Sequence, residues 1–160
     1  MIDFVISSLY NLPGKGWPLM LDLERAKEKL SQENHTCVLC LDGNFAVSDH
    51  RGVKPLLIWL ENPVLEKGFS AADKVVGKAT AYLYALLGAK AVYANIMSRS
   101  ALVVLESAGI QATYATLVPY IINRTGDGMC PMESATLEVH TPEEALAAVT
   151  KKLAELDKKV

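Results

Sequence analysis

Three groups of residues in this 160-residue chain have types and spacings suited to chemistry. The first is Asp73, Lys74 and Lys78, the only charges in an otherwise apolar run from Phe69 to Gly88. Lys74 or Lys78 would supply electrostatic stabilisation or an acid–base group there, with Asp73 or Glu133 as partner. The second is Ser98-Arg99-Ser100, at the start of a short helix where an anion would meet free backbone N–H groups. The third is N-R-T-G-D-G-M-C-P-M-E, which carries Arg124, Asp127, Cys130 and Glu133. Long irregular connections of this kind are often functional, and Gly126 and Gly128 make the loop flexible or tightly turned. Cys130 lies beside a helix start, where a lowered thiol pKa would make it a nucleophile. The candidate catalytic set is therefore Asp73, Lys74, Cys130 and Glu133. Lys78, Ser98, Arg99, Ser100, Arg124 and Asp127 form the candidate ligand-binding set. Plain structural roles stand beside these: Asp73 as half of a capping box, Arg99 as a solvated side chain, Cys130 as a buried thiol, and Pro131 with Glu133 as a helix start.

The element that must position the first group is read as one helix from Phe69 to Gly88. Ser70 and Asp73 have capping-box spacing, and Val75, Val76, Ala79, Tyr82, Leu83, Leu86 and Leu87 form a wide apolar arc. Gly77, Ala81 and Ala85 line the opposite arc, so the helix is expected to be buried on nearly all sides. Lysines four apart near a helix N-terminus repel each other and oppose the dipole. An anion nearby would offset both costs: Asp73, a carboxylate of the C-P-M-E segment, or a ligand.

Around that helix the sequence reads as an α/β domain. Leu21 to Glu33 is amphipathic and helical, and Thr36 to Leu41 is a strand. Asp42-Gly43 marks a hairpin into Phe45 to Ser48. Pro55 suits the first turn of a short helix ending before Pro63. Ala91 to Met97 is apolar throughout and is expected to be a strand buried on both faces, near the middle of the sheet. A short helix ended by Gly109 follows, then a strand from Ala112 to Val118 and a long connection from Pro119 to Pro131. Met132 to Ala135 suggests a helical turn, Leu137 to His140 a last strand, and Thr141-Pro142-Glu143-Glu144 a strong helix start. The order predicts a mixed central sheet flanked by helices. Residues 19–160 form one domain in this reading, and residues 1–18 an appendage.

Composition narrows the function classes. A net charge of −2 and a pI near 5.9 argue against a nucleic-acid surface. No apolar run is long enough to span a bilayer. Three cysteines and no convincing signal peptide suggest reduced thiols in the cytoplasm. Cys37 and Cys40 lie three apart on a strand and so on opposite faces, which favours core cysteines over a metal pair. His35, His50 and His140 lack ligand spacing. Neither a metal nor a cofactor is implied.

The run A-D-K-V-V-G-K-A, the strand ending M-S, and P-Y-I-I-N-R-T-G-D-G-M-C-P-M-E together resemble a small prokaryotic domain-of-unknown-function family. That family is grouped with the cytidine-deaminase-like fold. The resemblance runs from about Leu21 to Val139, with C-P-M-E its most specific part. It implies a three-layer fold in which two neighbouring helix N-termini converge on one pocket. It does not extend to the zinc chemistry. Where zinc deaminases carry His-x-Glu this chain has Ala72-Asp73-Lys74, and where they carry Pro-Cys-x-x-Cys it has Ser98-Arg99-Ser100. The expectation is a cytoplasmic protein binding a small anionic, nucleotide-like metabolite at the N-terminal end of the central helix, with metal-independent catalysis open. The alternative is a non-catalytic sensing or protein-interaction module. Neither nucleic acid nor membrane is an expected partner. Small residues on the central helix and an apolar N-terminal segment (Phe4, Val5, Ile6, Leu9, Tyr10) suggest a homodimer or larger homo-oligomer.

Overall fold

The computed structural model describes residues 17–158. The appendage expected over residues 1–18 lies almost wholly outside them. In chain order the elements are α1 (Trp17–Gln32), β1 (Cys37–Leu41), β2 (Asn44–Ser48), α2 (Lys54–Glu61), β3 (Ser70–Val76) and α3 (Lys78–Leu87). They continue as β4 (Ala91–Ser98), α4 (Arg99–Ser107), β5 (Gln111–Val118), α5 (Pro131–Ala135) and α6 (Pro142–Asp157).

The five strands form one mixed sheet in the order β2-β1-β3-β4-β5. β1 runs antiparallel to both β2 and β3, whereas β3, β4 and β5 are mutually parallel. The hairpin joins β1 to β2, and α3 and α4 are the crossovers between parallel strands. One layer is α1, whose Ala26 and Leu30 pack with Val38, Cys40, Ala72 and Tyr93. The main core lies on the other side, where Leu83, Tyr84, Val76, Met97, Leu105 and Val149 are buried together. α3 sits in the centre of that layer and touches α2, α4, α5 and α6. Six consecutive residues, Ala79 to Tyr84, are accordingly buried, as a helix apolar on all sides requires.

The single helix expected over Phe69–Gly88 is two elements. Its first third is β3, the central strand of the sheet, and Ser70 and Asp73 form no capping box. Lys74 therefore lies in a strand and Lys78 at the first position of a helix, so repulsion one helical turn apart does not arise. The physical cause is burial on both faces: α1 covers one side of β3 and the main core the other. Its sequence S-A-A-D-K-V-V then needs no alternation and offers none. β4 is the fourth strand in the order and is less enclosed than expected, with Asn95 and Ile96 exposed. Leu137 to His140 is not a strand: the chain turns there between α5 and α6.

Candidate functional site

The site builds up from two helix starts. α3 begins just beyond the end of β3 and α4 just beyond the end of β4, and these strands pair through Val76 and Met97. Two sets of unsatisfied N–H groups therefore open at the same end of the sheet. At α4, Ser98 is buried and acts as N-cap, its Oγ accepting from the Ala101 N–H at 3.2 Å. At α3 the N-cap residue is Gly77, which has no side chain to offer.

Glu133 supplies what Gly77 lacks. Its carboxylate is buried, with the residue only 4% exposed. Oε1 accepts from the Lys78 N–H at 2.5 Å, and Oε2 from the Ile121 N–H at 2.9 Å. The Ser98 hydroxyl lies 3.5 Å from Oε1 as a third donor, and Ser100 Oγ is 3.2 Å from that hydroxyl. One carboxylate thus links both helix starts and the long connection. A Cβ on Gly77 would stand 2.7 Å from Oε1 and 3.1 Å from Ile121 Cγ1, so only glycine leaves room for the carboxylate. Proline at the start of α5 sets the turn that carries Glu133 inward.

The other candidates divide. Lys78 belongs to this site through its backbone, but its ammonium donates to the Leu137 carbonyl at 3.0 Å. Lys74 reaches the Asn34 side chain at 3.4 Å. Arg99 and Arg124 are exposed and point to no bond of the site. Asp127 is held within its own loop by Asn123 and Thr125, which keep its carboxyl below the ordinary range. Cys130 is half-buried, its N–H donating to the Ile121 carbonyl at 2.8 Å.

Asp73 forms a separate buried cluster. It pairs across the ladder with Cys37, and the Tyr84 hydroxyl donates to its Oδ2 at 2.7 Å. Cys37 Sγ lies 3.0 Å from the same hydroxyl, and the Val75 N–H adds a bond of 3.2 Å to Oδ1. Burial pushes Asp73 up to about 6, against these bonds, which act to lower it. It also drives the Cys37 and Tyr84 groups well above their ordinary values. The Lys74 backbone N–H also acts to lower Asp73, but among the described residues no bond between side chains links it to Lys74, Lys78 or Glu133.

Asp22 went unnoticed in the sequence. It is buried under the hairpin, accepting from Asp42 N–H at 2.8 Å and Gly43 N–H at 3.1 Å, with Arg25 at 3.4 Å. An acid on the apolar side of an amphipathic helix, one residue before Leu23, was the available signal. Among the described residues no group of three or more His, Cys, Asp or Glu side chains lies close enough to hold a metal ion. Nor is any of their helices long and apolar enough to cross a membrane.

These features define an α/β domain whose paired helix starts are bridged by a carboxylate of its own chain. The family model for a domain of unknown function, DUF1893, matches residues 25–153, and the chain belongs to that family. The crystal structure of a DUF1893 family protein from Thermotoga maritima is similar, with a TM-score of 0.74 and 26% identity. The match covers 81% of this chain and 89% of that one. No curated protein matches the chain.

Proposed function

We propose that this domain is a non-catalytic module on a cytidine-deaminase-like scaffold, acting through interaction surfaces and not through chemistry at the convergent helix starts. The mixed sheet, with its antiparallel first strand and two helices opening from the ends of β3 and β4, supports that scaffold. The observation that carries the functional reading is the Glu133 carboxylate. It takes the anion position where two helix starts meet, and it uses the N–H and hydroxyl donors that a ligand would need. A phosphate or carboxylate ligand would have to displace a buried side chain held by three donors.

The remaining candidates do not offset this. Asp73 faces Tyr84 and Cys37, the Lys78 ammonium is engaged by Leu137, and neither adds a reactive group beside Glu133. An acid–base pair needs both members within reach of one substrate atom. The test is a thermal-shift and native-mass screen of phosphate, nucleotides and phosphorylated metabolites on the wild type and on Glu133→Ala. The wild type should shift with none of them. Glu133→Ala should melt lower and recover part of the loss with formate, acetate or phosphate. A metabolite that binds the wild type, and binds less well to Lys78→Gln or Arg99→Gln, would overturn the reading.

A further inference from the structure

The two edges of the sheet differ in how they are protected. An edge strand exposes a row of unpaired N–H and C=O groups, and proteins usually guard it with charges, proline, a bulge, brevity or a covering element. β2, at one edge, has five residues, is bracketed by Asp42 and Asp49, and carries the Lys29 ammonium 4.8 Å above the Phe45 ring. β5, at the other edge, has eight residues, Q-A-T-Y-A-T-L-V, with neither charge nor proline. No charged residue occurs anywhere between Glu106 and Arg124.

Its centre is open. Tyr114, Ala115 and Thr116 are all exposed. Beside them Ile96 of β4, paired with Thr116, is 40% exposed, and the chain leaving β5 adds exposed Tyr120 and Ile122. Among the described residues, β5 has a partner only in β4. A long, uncharged edge with apolar flanks is a template for another strand.

We infer that this edge pairs with the β5 edge of a second copy of the chain, antiparallel across a two-fold axis near Tyr114 and Ala115, to give a ten-stranded sheet. The occupant follows from charge and symmetry. In a two-fold interface each residue near the axis meets its own counterpart, so any net charge on the edge would oppose itself. β5 and its flanks are uncharged from Ser107 to Asn123, whereas β2, itself uncharged, lies between Asp42 and Asp49. Because β2 is short and guarded, growth stops after one pairing, and the assembly closes as a dimer instead of extending as a filament. The inference does not depend on how the Glu133 site is read.

A charge exchange at Ala115 tests it, with mass measured by light scattering at micromolar concentration. Wild type should have the mass of a dimer. Ala115→Lys and Ala115→Glu should each halve that mass while keeping the wild-type circular dichroism spectrum and melting cooperativity. An equimolar mixture of the two should regain the dimer mass, and Val47→Lys on the β2 edge should leave it unchanged. A monomeric wild type would overturn the inference. So would a dimer that persists in both Ala115 variants, or one that dissolves only when residues 1–16 are removed. If the Ala115 variants fail to fold, Thr116→Lys and Thr116→Glu replace them under the same outcomes.

Discussion

Glu133 is a buried carboxyl that forms no ion pair among the described residues, which sets what its neighbours must be. Two N–H groups and a hydroxyl face the carboxylate, and the positive end of the α3 dipole adds to them. Glu133→Gln offers one oxygen where two are used, so its amide group must confront the Lys78 or Ile121 N–H. Leaving one buried donor unpaired costs about 1–3 kcal/mol, a fall of several degrees in melting temperature. Gly77→Ala should cost a similar amount, about 1–3 kcal/mol, because its methyl group would occupy the space of Oε1. The double variant Gly77→Ala/Glu133→Ala separates packing from charge. If the methyl acts only by pushing the carboxylate away, adding it to Glu133→Ala should cost little. Melting curves for the three variants decide the point, and full additivity would refute the account. Lys78→Gln removes the bond to the Leu137 carbonyl alone and should cost under about 1 kcal/mol.

At the scale of elements, the N-cap of α4 and the centre of the sheet matter most. Ser98→Ala removes the acceptor for the Ala101 N–H and a donor to Glu133 together, so about 1–2 kcal/mol should be lost, read from urea midpoints. Most of the elements were legible because their signals are local. The Asp42-Gly43 turn, with Asp42 at a φ of 50° and Gly43 at 80°, dictates its hairpin. Thr141 and Pro142 likewise mark the start of α6, the Thr141 side chain accepting from the Glu144 N–H. β3 was not legible as a strand, since burial on both faces removes the period of two and its alanines suit a helix equally well. The clue lay beyond it: β4 is parallel, and a parallel strand reached through a helix requires a strand before that helix. Gly77, in the middle of the run, marks the break. The site inherited this error. Asp73 and Lys74 look adjacent to Lys78 only on a continuous helix, whereas Glu133 at its true place depends on a contact 55 residues apart in sequence. The C-P-M-E segment announces Glu133 as unusual but not where it points.

For the whole molecule, two separate groups tie stability to pH in the same direction. Asp73 is raised by burial to about 6 from an ordinary 3.8, so between those values the folded chain holds a proton that the unfolded chain has lost. Folding is then favoured as pH falls through that range, and the gain disappears as pH rises past 6. His35 bridges Asp49 and Glu33, each at 2.7 Å, and these bonds raise its pKa. Its contribution is complete below the ordinary histidine pKa and is lost as pH rises through the raised one. Glu33 and Asp127 are lowered and act oppositely, withdrawing stability as pH drops below the ordinary carboxylate range. The melting temperature should therefore climb from pH 8 to about pH 4 and fall in more acidic solution. Asp73 supplies the larger part of the climb, on the order of 2 kcal/mol, because it is buried while His35 lies at the surface. Asp73→Asn keeps the shape beside Tyr84 and Cys37 but cannot ionise. It should melt higher than wild type at pH 8 and show a much flatter rise towards pH 4. His35→Gln should trim only the upper part of the climb. Equal slopes in wild type and Asp73→Asn would mean that Asp73 is ionised in the folded chain across this range, as it is in the unfolded one, and the pH dependence would then have to be sought at His35 alone.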